Sequence, residues 1–456
     1  MDSIRDFPLS PPFHRLPSHR LGGAPKEPMT DTLTRRQLTA WRNAIFAIFA
    51  LSGFSIASWI ARLPAVRDLL QIDTAQVGVL ILMMSIGAIL GLIAAPHIMG
   101  RWGARAGMLL CLMLIAVATA VIGLGATFTG SAVVVGAGLA LFGFGNGAVD
   151  VIMNVEGAAV ERSIGKTVLP LMHAFFSFGT VTGAGIGALA SALSVSVGVH
   201  LSVIAVLIVA SALVAIRFVP KGAEAAASTE TASAGDADAE ALAATGTWGQ
   251  RLRASLAVWT DVRLLAIGVI MLGMAFAEGS ANDWLALAVV DGFSTDNTLG
   301  AVVFGVFTVA MTAGRVAGGP LLDRFGRVPV LRTGAILGFL GILAFIIAPT
   351  LWVGVVGVVF WALGCSLGFP VGMSAAADAP DPKSSAARVS AVAIIGYVAF
   401  LVGPPVIGLL GHDFGIRNAL LLVLVLVALA GLASPAAREL TGPRARVKAN
   451  AGAGAS

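Results

Sequence analysis

Asp150 and Asn154 stand four residues apart inside an apolar run, and Glu161 follows on the same helical stripe. A carboxylate held among apolar neighbours is costly, so it either binds and releases a proton or is tied into a structural hydrogen bond. Both readings stay open for Asp150. A second cluster reads Glu278, Asn282, Asp283 and Trp284, with Glu278 and Asn282 one turn apart. Carboxylates and an amide can hold hydroxyls or amines, and an indole beside them offers a stacking face. Trp284 is equally at home as an interface anchor, and Asp283 is placed toward an outer edge. Asp150 and Glu278 are therefore the proton-handling candidates. Asn154, Asn282, Asp283, Trp284, Trp59 and Tyr397, the chain's one tyrosine, are the solute-binding candidates. Glu156, Glu161, Arg162 and His173 group near the ends of two neighbouring runs, where they read as a network or gate. Arg62 is read as snorkelling to an interface, with pairing to Asp283 as the alternative.

These groups must be positioned by membrane helices. Of 456 residues, 57% are hydrophobic and only 12% charged, which excludes an ordinary soluble protein. The apolar runs do not alternate in polarity as barrel strands do. They fall at 40–63, 75–98, 106–127, 131–158, 168–192, 196–218, 262–290, 298–322, 330–348, 351–377, 387–411 and 416–434, and many approach the ~20 residues a helix needs to cross the hydrocarbon core. The spacing thus predicts an all-α membrane protein of twelve transmembrane helices. Lys and Arg gather in the two ends of the chain, the even-numbered loops and the helix ends beside them, with Arg62, Arg67 and Arg417 on the opposite face. That asymmetry puts both termini in the cytoplasm. It also reads the pI of about 9.8 as topology and anionic-lipid contact, with no nucleic-acid partner.

Residues 1–39 and 435–456 read as disordered cytoplasmic tails, with Met29 as an alternative start, and the Ala/Ser/Thr/Glu-rich stretch 219–261 reads as a cytoplasmic linker. Cys111 and Cys365 lie in separate spans, so no disulfide is expected. Gly165-Lys166-Thr167 lacks the preceding Gly and strand of a phosphate loop, so no nucleotide site follows. No clustered His or Cys has metal spacing, and no cofactor is expected.

The two parts repeat at an offset of about 223–225 residues: Ser55-x-x-x-Trp59 against Ser280-x-x-x-Trp284, Gly145 against Gly368, and one loop element against another. With six spans between matching points, the chain is expected to form two six-helix bundles, 40–218 and 262–434, related by a pseudo-two-fold axis along the membrane normal. The better loop copy, Gly319-Pro320-Leu321-Leu322-Asp323-Arg324-Phe325-Gly326-Arg327, resembles the loop signature of the major facilitator superfamily, and Gly100-Arg101-Trp102-Gly103 is its degraded partner. Asn154 to Arg162, Lys166 to Pro170, Ala275 to Trp284 and Ser366 to Pro370 resemble the YbjJ-like inner-membrane transporters of bacteria. More distantly, Asp150-x-x-x-Asn154 with Phe175-x-Ser177-Phe178-Gly179 is similar to fucose permeases, although the span-1 Asp of that group is absent here. The resemblance implies a monomeric secondary transporter of the bacterial cytoplasmic membrane, not an enzyme, moving a small solute with the proton gradient as its energy source. Symport of a sugar or sugar-like metabolite is the expected activity. Efflux of a drug or metabolite is the alternative, although the span-5 Gly183 to Ala188 stretch lacks the Pro of drug antiporters. A transporter-like sensor or scaffold is the reading from another class.

Overall fold

The structure is a computed structural model, and it describes residues 34–165, 168–220, 260–378 and 385–439. Residues 1–33 and 440–456, Lys166, Thr167, most of the expected linker and the side chain of Tyr397 lie outside the described residues. The helices are α1 Arg35–Ile60, α2 Leu63–Leu70, α3 Thr74–Leu124, α4 Ala132–Ile164, α5 Leu169–Ala192, α6 Val197–Ala215, α7 Val262–Phe293, α8 Asn297–Phe325, α9 Arg327–Ile347, α10 Leu351–Cys365, α11 Gly368–Ala377, α12 Ser385–Phe414 and α13 Ile416–Ala433. Eleven stretches of helix among the described residues are long and apolar enough to cross a membrane. One of them is long enough for two crossings. At ~1.5 Å per residue, α3 would run to about 77 Å, more than twice the ~30 Å hydrocarbon core. It is broken at Gly103, whose φ of 80° and ψ of 162° are not helical.

Side chains at the chain's turns explain where the helices begin. Asp73 accepts the Gln76 amide at 2.8 Å while Gln76 Oε1 accepts the Asp73 amide at 3.0 Å, a reciprocal cap that starts α3. Asp296 caps α8 from one side only, accepting the Leu299 amide at 2.8 Å. The expected first span, 40–63, corresponds to α1, which ends at Ile60, and Pro64, which has no N–H to donate to the preceding turn, opens the short α2. The repeat is visible in the backbone itself. Gly103 and Gly326, separated by 326 − 103 = 223 residues, make the same turn, with φ/ψ of 80°/162° and 77°/170°. Gln71 and Ser294, again 294 − 71 = 223 apart, are both left-handed at φ 54° and 52° and both stand two residues before a capping Asp.

Packing is closest where glycines face a neighbouring backbone. A Cβ on Gly87 or Gly91 of α3 would overlap the carbonyl oxygens of Ala140 and Phe144 on α4, and one on Gly143 or Gly147 would overlap those of Met84 and Ala88. Gly53, Gly179 and Gly183 lock α1 to α5 in the same manner. Helix α3 also packs on α6, while α7 packs on α12 and α13, and α9 on α10 and α13. Contacts of α3 with α12 and of α5 with α8 join the earlier helices to the later ones. Arg417 ties three helices. It donates to the carbonyls of Gly292, Phe345, Ile346 and Ala348 at 2.6 to 3.0 Å and lies 4.4 Å from the Phe293 ring. These carbonyls end α7 and α9, so the guanidinium meets the negative ends of two helix dipoles. Replacing Arg417 with Leu strands those carbonyls and is expected to lower the unfolding temperature in detergent by several degrees, read by a thermal-shift assay.

Candidate functional site

Among the described residues, two adjoining cavities are lined both by helices before residue 220 and by helices after residue 260. The larger, about 250 Å³, is lined by Ser85, Asn146, Asp150, Asn282 and Asp283 set among Ile56, Ile60, Met84, Leu92, Phe142 and Phe400. The smaller, about 80 Å³, is lined by Ser177, Thr180, Glu278, Thr308, Thr312 and Arg315. Ile56, Ile60 and Asn282 border both, so the two spaces share a wall.

Helical spacing places these groups. Asn146 and Asp150 are one turn apart on α4, and Glu278 and Asn282 are one turn apart on α7. Ser52 of α1 donates to Asn146 Oδ1 at 2.9 Å, which fixes that amide with its N–H groups left for other partners. Asn154 does not line either cavity. Its Nδ2 donates to the Asp150 carbonyl at 2.8 Å and reaches Asp150 Oδ1 at 3.4 Å, so it steadies the acid from one turn below. Glu278 Oε1 accepts from Arg315 Nη2 at 2.6 Å. Opposite charges this close, away from bulk water, hold each other in place.

Other candidates fall elsewhere. Trp59 and Trp284 are 1% and 0% exposed and belong to the packed interior rather than to a cavity wall. Tyr397 lies on α12 with its side chain outside the described residues. For the group read as one network, the structure gives several contacts among the described residues. Glu156 accepts the Trp41 indole N–H at 3.0 Å, Glu161 accepts the amides of Val168 and Leu169 at 2.7 and 2.9 Å to start α5, His173 meets the Phe49 ring edge-on at 5.2 Å, and Arg162 is exposed. Arg62 is only 4% exposed and donates to the Val195 carbonyl at 2.7 Å, so it turns inward instead of snorkelling, and its partner is not Asp283.

In the loop elements, Gly103 and Gly326 make the turns, and a Cβ on Gly100 or Gly319 would meet nothing. Arg101, Asp323 and Arg324 are exposed, with Arg324 stacked 5.2 Å over Phe325. Arg327 reaches Asp378 at 2.6 Å and Ser374 at 2.9 Å. Arg388 pairs with Asp261 nearby.

The bundle's opposite end is latched between earlier and later helices. Arg67 Nη1 lies 2.6 Å from both oxygens of Asp291, Asn297 donates to Asp68 at 3.0 Å, and Thr298 meets Ser191 at 3.2 Å. Burial by itself lowers the Arg67 guanidinium, but the hydrogen bonds and charges of Asp291 and Asp68 outweigh it and hold the group above its ordinary value. At the Gly103 and Gly326 end, the side-chain ion pairs among the described residues stay within the later helices. Asp291→Asn is expected to weaken the latch. A cysteine placed at Ser191 should then react several-fold faster with a charged thiol reagent added from the Arg67 side, while an unchanged rate would remove Arg67 and Asp291 from that role.

Arg315 and Asn146 are the residues that sequence reasoning missed. Arg315 falls among the basic helix ends in the sequence, yet it shares a helical stripe with Thr308 and Thr312, and that periodicity is the available signal. Asn146 was hidden in the Gly143-x-Gly145-x-Gly147 face. Among the described residues, no group of His, Cys, Asp and Glu could hold a metal ion, and Cys111 and Cys365 are free and buried.

The Major Facilitator Superfamily family model matches residues 7–156 and 284–455, more than two thirds of the chain. The chain belongs to this superfamily. It is 30% identical over 414 residues to the transporter y4wD of Sinorhizobium fredii, across 89% of this chain and all of that one. It is 25% identical over 364 residues to an MFS-type transporter of Yersinia pestis, across 80% and 87%. Among solved structures, the nucleoside transporter NupG superposes with a TM-score of 0.64 at 16% identity, covering 88% of this chain and 98% of that one. The xylose transporter XylE of E. coli, in a partially occluded inward-open conformation, superposes with a TM-score of 0.63 at 13% identity, covering 87% and 97%. At such identities these two share the superfamily's fold, and the two relatives by sequence given above are transporters by name.

Proposed function

We propose that this superfamily member is a secondary transporter that carries a small polar solute by alternating access, with a sugar or sugar-like metabolite moved by proton symport. The observation that carries this reading is the larger cavity, to which α4 brings Asp150 and α7 brings Asp283 from opposite parts of the chain. Carboxylates and amides facing one space suit a hydroxyl-rich solute, and intramembrane acids are the usual carriers of coupled protons. Asp150 is the first proton site and Glu278 the second. Two of the structural neighbours handle xylose and nucleosides, both hydroxyl-rich molecules.

In this reading 40–218 and 262–434 are the two six-helix bundles, joined by the linker 219–261 and related by an axis along the membrane normal. The backbone turns repeated at Gly103 and Gly326 support that relation. Both termini lie in the cytoplasm of a bacterial cell, and the protein works as a monomer in its inner membrane. The Arg67 latch then closes the outer side, giving an inward-facing state. The YbjJ-like branch fits this chain better than the fucose permeases, because Ser52 and Ser55 occupy the region where those permeases use an acid. Purified protein in liposomes, given an inward proton gradient, should accumulate solute and lose that accumulation with a protonophore. Uptake that ignores the gradient would remove proton coupling, and gradient-driven expulsion would favour efflux.

A further inference from the structure

Arg315 bears on the charge of the solute. It projects from α8 into the smaller cavity on the stripe that carries Thr308 and Thr312. Only its Nη2 meets Glu278, and the Arg315 side chain is 35% exposed against 14% for Glu278. A guanidinium has five N–H donors in a planar fork, so most of them remain for a ligand. Three of the four hydroxyls that line this cavity are already committed as donors. Thr308 donates to the Gly305 carbonyl at 2.8 Å, Thr312 to the Thr308 carbonyl at 2.7 Å, and Thr180 to the Ser177 carbonyl at 2.7 Å. Each therefore offers only lone pairs to the cavity. Past Asn282, the larger cavity adds two more acceptors, Asp150 and Asp283, and no Lys or Arg lines it. One end of the combined space is a cation with spare donors, and the rest is rich in acceptors.

We propose that the site takes a small hydroxylated carboxylate of the sugar-acid class, its carboxylate seated on Arg315 in exchange for Glu278 and its hydroxyls donating toward Asn282, Asp150 and Asp283. This rests on the transporter reading above and narrows its solute. A planar carboxylate matches the guanidinium fork, and Glu278 is the internal carboxylate that occupies it without solute. A neutral sugar has nothing to offer Arg315 that Glu278 does not already supply.

The test uses the purified full chain in detergent with D-gluconate and D-glucuronate as probes and D-glucose and D-glucitol as neutral counterparts, read by calorimetry and thermal shift. The acids should bind at least about tenfold more tightly than the neutral compounds. Glu278→Gln weakens the internal competitor and should tighten acid binding several-fold, a gain that a purely structural role for the pair does not produce. Arg315→Gln should lose acid binding. The double variant Glu278→Gln, Arg315→Gln strands no buried charge, so it keeps the comparison valid if Arg315→Gln alone fails to fold, and it too should lose acid binding. Equal binding of neutral and acidic compounds, absence of acid binding, or full acid binding in the double variant would overturn the assignment. Protein that binds gluconate but moves none across liposomes would overturn the transport reading instead and leave this one standing. Protein that moves glucose and ignores gluconate would do the reverse.

Discussion

Asp150→Asn protein is expected to reach the membrane in normal yield, to equilibrate solute across liposomes still, and to accumulate none against a gradient. The amide keeps the size of the side chain and its contact with Asn154 Nδ2 through the Asp150 carbonyl at 2.8 Å, so the helix is not disturbed. What it removes is the proposed proton-binding carboxyl in the cavity shared with Asp283. With one proton carried per solute, each unit of pH gradient supports about tenfold accumulation, because one pH unit corresponds to ~1.4 kcal/mol. The variant should lose that whole factor. Parallel measurements of counterflow and of proton-driven uptake separate the outcomes. Uphill uptake that survives in Asp150→Asn would move the proton site to Glu278, and loss of counterflow as well would make Asp150 a solute contact.

Gly143→Val and Gly147→Val are expected to abolish folded protein. Each added Cβ would enter a carbonyl of α3, Met84 O or Ala88 O, and both obstacles are backbone that cannot rotate aside. Overpacking a well-packed site costs ~1–3 kcal/mol even where side chains can adjust, and here two helices must move apart along their full contact. The same separation would shift Asn146 and Asp150, which ride on that face of α4, away from the cavity. Gly185→Ala is the control, since a Cβ there meets nothing within 4 Å. Fluorescence-detected size-exclusion chromatography of the solubilised variants should show aggregate for the first two and a sharp monodisperse peak for the third. Monodisperse Gly143→Val protein would show that α3 and α4 tolerate separation.

The class of the protein was legible in its sequence because lipid imposes it. A long apolar helix must satisfy its own backbone hydrogen bonds, so span lengths and their spacing expose the crossings without any knowledge of their neighbours. The repeat was legible at Gly103 and Gly326 for a related reason: a turn at φ near 80° selects glycine in both copies. Asp150 and Glu278 were conspicuous as acids inside apolar runs, and the structure puts both on cavity walls. Trp284 stood one turn and a half from Glu278 in the sequence, but a helix sends such neighbours to different faces, and the indole went into the packed interior. Its role in solute contact is thereby much less favoured than that of Asn282.

By itself the sequence determined the membrane helices, the two-fold repetition of their turns and the intramembrane acids, since each follows from local composition and spacing. Only the tertiary structure decided which charges meet. Arg315 belongs to Glu278 across 37 residues, and Arg67 belongs to Asp291 across 224. Such pairings depend on the rotation of each helix about its axis, which is set by the close contacts of glycine faces against neighbouring backbones. A helix that turned by one residue would present a different side chain to the cavity, and nothing in its own sequence forbids that turn.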